Sequence, residues 1–258
     1  MILGLVQGVT EFLPVSSSGH LLIARALLGT QAEPLLFEII VHVGTLVAVV
    51  LLFWRDIVHM FKHPLGKLVR YLVIATIPAV VFTLLLGDFI EASFGGRFLG
   101  IGLLVTGVLL TVCEFKKSRS PKPFSRMSPI DAVVMGGMQA VAIFPGISRS
   151  GATIAGGLFR GLDRSLCARF AFLMSIPAIL GSLVFKFKDL MEVGSGNISV
   201  FALVCGALVA AVSGFFAIRL MMKLIGKTKL YGFAAYVGLL GIFVLVCQFM
   251  GVLFPPLF

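Results

Sequence analysis

The chain has 258 residues, of which 59% are hydrophobic and only 12% charged, with a formal net charge of +10. A soluble domain carries about 25% charged residues, so there is too little polar surface here to coat a water-soluble globule, and the solvent is lipid. The basic residues sit in short stretches between apolar runs, with no basic stripe interleaved with aromatics, which sets nucleic-acid binding aside.

In chain order, residues 1–29 are apolar but interrupted by Pro14 and by Ser16, Ser17, Ser18 and Gly19. Each half is about 12–15 residues, which at about 1.5 Å per residue reaches the bilayer midplane and no further. That pattern predicts a re-entrant helix–loop–helix hairpin. Apolar runs long enough to cross follow at 35–54, 69–87 and 97–113. Residues 130–160 repeat the broken pattern, with Pro145-Gly146 and then Ser148, Arg149, Ser150 and Gly151 at the break. Three more runs, at 166–187, 199–222 and 231–254, complete the chain. The expectation is an all-α membrane protein of six transmembrane helices plus two re-entrant hairpins. Cys113, Cys167, Cys205 and Cys247 are scattered without metal-ligand spacing and read as packing residues.

The two broken stretches match each other. Gln7–Gly19 lies on Gln139–Gly151 without a gap, with identities at Gln7/Gln139, Val9/Val141, Phe12/Phe144, Ser16/Ser148, Ser18/Ser150 and Gly19/Gly151. Each copy precedes three spans, an odd number, so the second copy enters from the opposite side. The loops at 55–70, 114–129, 160–169 and 219–229 hold 4, 5, 3 and 4 Lys/Arg, whereas the opposite side carries Arg25, Arg97, Lys186 and Lys188. The positive-inside rule places the four basic loops in the cytoplasm. The chain therefore reads as one integral membrane domain of inverted-topology repeats, about 1–113 and 130–254, whose broken helices meet near the middle of the membrane.

Non-helical backbone at membrane depth survives only where protein buries it or it lines a wet cavity. Ionisable residues there are costly and usually functional. Glu11, His20 and Arg149 are the ionisable residues near the breaks. Gln7 and Glu11 share a helix face at i, i+4, Ser16 or Ser17 is placed to cap the next helix, and Ser17 and His20 share its first turn. In the second hairpin Ser148 is placed to cap a helix carrying Arg149 and Thr153 on one face. Two helix N-termini, several serines and an arginine favour a multiply charged oxyanion. The lone carboxylate suits a metal ligand or a base. The set points to phosphoryl transfer. A transporter that binds the same anion at the midplane fits the architecture equally well. An anion channel fits less well, because there is one polar focus and no continuous lined pore. His42 lies within a span as a packing or supporting residue, Glu38 near a span's outer end, and His59 and His63 in a basic loop.

These residues resemble a known family. Gln7 to His20 is similar to the N-terminal motif of bacterial undecaprenyl-diphosphate phosphatases, with its (Glu/Gln)xxxGlu element, and Pro145 to Thr153 resembles that family's PGxSRSxxT motif. The stretches Phe37–Thr45 and Ala168–Ala178 are similar as well, so the resemblance runs over essentially the whole chain. It implies hydrolysis of undecaprenyl pyrophosphate to undecaprenyl phosphate and phosphate, recycling the lipid carrier of cell-wall synthesis and conferring bacitracin resistance. It also implies a divalent cation, Mg²⁺ or Ca²⁺, held near Glu11, and a site in the bacterial inner membrane reached from the outer face. The family's essential groups fall on Glu11, Ser17, His20 and Arg149. Substrate-binding roles fall on Gln7, Ser16, Ser148, Ser150 and Thr153. Gln7 stands where many members have Glu, which removes one carboxylate from the implied metal site. The expected mechanism has Ser17 attack the terminal phosphorus while His20 moves the proton, with His20 as nucleophile the rival assignment. A homodimer is an open expectation.

Overall fold

The computed structural model describes residues 1–29, 35–93, 95–115, 120–193 and 199–255. Among them the backbone is all-helical apart from one isolated bridge, Lys122 to Leu162. Helices α1 (Ile2–Phe12) and α2 (Ser17–Leu28) flank the first break. They are followed by α3 (Leu35–Leu52), α4 (Trp54–Lys62), α5 (Lys67–Ser93) and α6 (Leu99–Phe115). Helices α7 (Pro129–Val141) and α8 (Arg149–Phe159) flank the second break, and α9 (Arg164–Val193), α10 (Val200–Ile225) and α11 (Tyr231–Phe249) close the chain.

Four helical stretches are long and apolar enough to cross a membrane: 67–87, 164–184, 200–225 and 231–249. The bent pair formed by α3 and α4 makes a fifth if it counts as one span. The predicted run at 97–113 falls on α6, which has only 17 residues. One segment differs from the sequence reading. Residues 55–62, expected within a basic loop, belong to α4, which starts at Trp54 and is turned 77° from α3 at the non-helical Phe53. Its Ile57 is buried while Trp54 and Phe61 stay exposed, an apolar face that a solvated loop would not carry. Of the basic loop residues, Lys116, Lys117 and Arg119 lie outside the described residues, as do the side chains of Lys186 and Lys188.

Both breaks are built by the same devices. Helix α1 ends at Leu13, which is extended ahead of Pro14 because the proline ring excludes α geometry from the residue before it. Ser16 then caps α2 by accepting from the Gly19 N–H at 3.3 Å. Helix α7 starts from a Ser128/Asp131 capping box with Pro129 in its first turn. It stops before Pro145 and Gly146, whose φ of +87° suits glycine. Ser148 caps α8 by accepting from the Gly151 N–H at 3.1 Å.

Helix α1 packs on α10, α7 on α5, α3 on α10 and α6 on α11. Two ionic anchors that the sequence reading missed fix the ends. Glu114, 6% exposed, takes both Arg164 Nη atoms at 2.7 and 3.0 Å and the Leu230 N–H at 2.9 Å, joining α6, α9 and α11. Fully buried Asp131 takes Arg160 Nε at 2.8 Å and the Ser128 N–H at 2.9 Å, joining the start of α7 to the end of α8.

A Cβ placed on Gly136 would lie 2.2 Å from the Ala75 carbonyl oxygen of α5, whereas one on neighbouring Gly137 would meet nothing within 4 Å. Gly136→Ala is therefore expected to destabilise the fold by about 1–3 kcal/mol, read as a lower unfolding midpoint in detergent, with Gly137→Ala at or above wild type.

Candidate active site

The first break brings α2 back beside the end of α1, so its first residue, Ser17, meets Glu11. The Ser17 hydroxyl donates to Glu11 Oε2 at 2.5 Å, and Gln7 Nε2 donates to the same oxygen at 3.0 Å from one turn earlier on α1. The other carboxylate oxygen, Oε1, accepts from Arg149 Nη2 of α8 at 2.7 Å. Glu11 is 6% exposed, so its charge is removed from bulk solvent and is balanced by that guanidinium. Ser17 and Arg149 occupy matching positions, each the first residue of a helix behind a capping serine. The two hairpins thus deliver a hydroxyl and a cation from corresponding places to one carboxylate.

The serines behind them have divided tasks. Ser150 donates to the Leu13 carbonyl at 3.0 Å, pinning the start of α8 to the first break, and lies 3.2 Å from Ser148. Ser16, buried and at φ +73°, holds its cap in a conformation rare for a non-glycine residue. Thr153 points its hydroxyl back to the Arg149 and Ser150 carbonyls at 2.8 and 3.1 Å, in support of the turn that carries Arg149. The second break is fastened by Thr106 of α6, which donates to the Gly146 carbonyl at 3.1 Å and accepts from the Ser148 N–H at 2.9 Å.

His20 sits one turn beyond Ser17 but faces elsewhere. Its Nδ1 lies 2.8 Å from the Ser16 carbonyl oxygen, and its Nε2 lies 2.8 Å from the hydroxyl of Tyr236 on α11. Both ring nitrogens are therefore engaged, and Ser17 is bonded to Glu11. The arrangement gives the serine a carboxylate neighbour, where the sequence reading had supplied only the histidine. Nothing in the sequence singles out Tyr236, one of two tyrosines in an apolar span far from either motif. His42 bonds the Glu38 carbonyl of its own helix at 2.7 Å, and His59 and His63 are exposed.

Beside His20 opens a cavity of about 570 Å³, walled by Val9, Leu13, Val15 and Phe233, with Tyr236 and Lys229 on its rim side. Mg²⁺ and Ca²⁺ take oxygen ligands, and Mg²⁺ is commonly held by one or two carboxylates plus substrate phosphates. Among the described residues no three His, Cys, Asp or Glu side chains cluster. Gln7 Oε1, however, is buried without a partner beside the Glu11 carboxylate. These two hard oxygens on one helix face fit a cation completed by phosphate oxygens.

Comparison with known proteins decides the family. The family described as Bacitracin resistance protein BacA matches residues 1–243. The chain belongs to that family. It is 42% identical to the undecaprenyl-diphosphatase of Carboxydothermus hydrogenoformans over 254 residues, covering 97% of each chain. It is also 42% identical to undecaprenyl-diphosphatase 4 of Bacillus thuringiensis subsp. konkukian, again over 97% of each chain, and to the undecaprenyl-diphosphatase of Alkaliphilus metalliredigens over 95% of this chain and 96% of the other. Family membership and the apolar helices together make this a multi-pass membrane protein.

Ser150→Ala removes the tie from α8 to the Leu13 carbonyl, which keeps only the Val15 N–H at 2.8 Å, and is expected to cost about 0.5–1.5 kcal/mol. Chemical denaturation in detergent checks this. Ser18→Ala, at the matching place in the first hairpin, removes only a 3.4 Å contact with Ser16 and is expected to cost less.

Proposed function

We propose that this chain is the integral membrane phosphatase that hydrolyses undecaprenyl pyrophosphate to undecaprenyl phosphate and inorganic phosphate. That reaction recycles the lipid carrier of cell-wall synthesis and confers bacitracin resistance. The observation that carries it is the Ser17 hydroxyl held at 2.5 Å on the Glu11 carboxylate, with Arg149 at 2.7 Å on the other oxygen. A site that only binds or carries an anion has no use for a nucleophile paired with a base, so hydrolysis is favoured over transport.

In this reading the diphosphate enters from the outer leaflet while the prenyl tail stays in lipid. Arg149 turns from Glu11 to the terminal phosphate and holds its oxygens, with the N–H groups at the starts of α2 and α8 adding positive potential. Ser17 Oγ attacks the terminal phosphorus and its proton passes to Glu11 Oε2. The bond from that phosphorus to the bridging oxygen breaks, and undecaprenyl phosphate leaves. Water then attacks the phosphoserine and gives its proton to His20. The P–O bond to Ser17 breaks, Ser17 regains the proton from Glu11, phosphate departs, and His20 returns its proton to solvent. Glu11 and Gln7 Oε1 are the groups that would hold Mg²⁺ or Ca²⁺, which when bound neutralises charge on phosphate oxygens. Gln7, Ser16, Ser148, Ser150 and Thr153 shape and support the anion site.

The same proposal takes α3, α5, α6, α9, α10 and α11 as six spans. The hairpins α1–α2 and α7–α8 are then re-entrant, in inverted halves of about 1–113 and 130–254. Reciprocal packing supports it, since α1 lies on α10 and α7 on α5. Gly4 and Gly136, each three residues before a matched glutamine, meet the backbones of Gly206 and Ala75 respectively. In the inner membrane, with the basic loops in the cytoplasm as the Lys/Arg distribution has them, the first hairpin opens to the outer face.

Purified protein given undecaprenyl pyrophosphate with Mg²⁺ or Ca²⁺ is expected to release phosphate. Arg149→Ala and Glu11→Gln are expected to lose several orders of magnitude, and chelation to stop the reaction. Trapped phospho-enzyme is expected to carry its label on Ser17. A label on His20 overturns the assignment of the nucleophile, and no release by folded wild type with either ion overturns the phosphatase.

A further inference from the structure

Tyr236 lies 216 positions from His20 on the last helix, yet the two side chains form one unit. The His20 Nε2 to Tyr236 hydroxyl distance is 2.8 Å, and the rings stack with centroids 5.6 Å apart and planes 22° from parallel. The other ring nitrogen, Nδ1, lies 2.8 Å from the Ser16 carbonyl oxygen. A carbonyl oxygen only accepts, so Nδ1 carries the hydrogen, and in a neutral ring Nε2 is left with the lone pair. The tyrosine hydroxyl then has one role available, to donate to Nε2. Ser16 and Tyr236 thus act from opposite sides of the ring and select the same tautomer.

We propose that Tyr236 is a positioning residue for the phosphatase reaction. It holds His20 in the Nδ1–H tautomer with the Nε2 lone pair turned to the cavity, and gives up its place there to the attacking water. This rests on the proposed phosphatase reading, in which His20 takes the proton of that water. Three observations carry it. Both His20 and Tyr236 line the cavity beside the first break, so moving the Tyr236 hydroxyl aside turns the Nε2 lone pair toward open space. Tyr236 is 48% exposed, so its ring is not locked by protein packing on every side. The matching position in the second hairpin is the buried Ala152, so packing of this helix face does not require an imidazole or a tyrosine against it. The unit also joins the two halves of the chain, as the Glu11–Arg149 pair does, and makes the geometry of the first hairpin depend on α11.

The test uses full-length protein in detergent, labelled with ¹⁵N-histidine, with the His20 signals assigned by their loss in His20→Gln. In wild type the expected spectrum is a protonated Nδ1 and an unprotonated Nε2. In Tyr236→Phe, which keeps the ring stack, a second tautomer with Nε2–H is expected to appear. Phosphate release by Tyr236→Phe is expected to fall about 10- to 100-fold in kcat with KM unchanged. Tyr236→Gln, which keeps a donor, is expected to recover part of that loss. In a His20→Gln background, Tyr236→Phe is expected to have no further effect. An unchanged kcat and tautomer in Tyr236→Phe overturn the proposal, and so does an equal loss in the His20→Gln background, which marks a packing role. The spectrum separates this failure from that of the phosphatase. A wild type that releases no phosphate but shows the tyrosine-dependent tautomer refutes the reaction alone. An active wild type whose kcat and tautomer do not respond to Tyr236→Phe refutes the positioning alone.

Discussion

The ion pair of Glu11 with Arg149 is the constraint on which the rest of this structure depends. A carboxylate 6% exposed at an interrupted helix in an apolar protein is tolerable only with a counter-charge and hydrogen-bond donors. Arg149 supplies the charge at 2.7 Å, and Ser17 and Gln7 supply the donors. Meeting that demand requires the second hairpin to reach the first, which Ser150 secures through the Leu13 carbonyl. It also requires the helices that carry both hairpins to approach closely, which the small residues along α1, α7 and α10 allow. In the proposed reaction that buried charge becomes the working charge, with a phosphate replacing the carboxylate as the arginine's partner.

The two hairpins share a plan but have different equipment. Both break at a proline, restart behind a capping serine and place a functional residue first in the new helix. In the first copy that residue is a hydroxyl with a carboxylate one helix away, and in the second it is a guanidinium. The glutamate's counterpart is Ile143 and the histidine's is Ala152, so the carboxylate and the imidazole come from one copy and the guanidinium from the other. The proposed hydrolysis draws on that asymmetry, since a pair of identical anion sites would lack the acid–base groups.

Much of this was legible in the residues. The proline and serine-glycine interruptions gave the breaks, because proline removes a donor and restricts its predecessor whatever the surroundings. The capping serines and Arg149 followed from local chemistry. What was not legible depends on contacts distant in the chain. Tyr236 resembles any aromatic in an apolar helix until α11 is placed against α2. Glu114 and Asp131 gave no local signal of their pairing with Arg164 and Arg160. The direction of the Ser17 hydroxyl was also hidden, since i, i+3 spacing from His20 says that two residues share a helix face and nothing of a third group across the break. Helix α4 was overlooked because its charges matched a solvated loop, although Trp54, Ile57 and Phe61 give it an apolar side.

The most direct measurement is an experimental structure with a non-hydrolysable methylene-bisphosphonate analogue of the lipid substrate. The account expects the terminal phosphonate between the Arg149 guanidinium and the Ser17 hydroxyl, with the Glu11–Arg149 pair opened. A phosphonate bound elsewhere, with the Glu11–Arg149 and Ser17–Glu11 contacts intact, would contradict it.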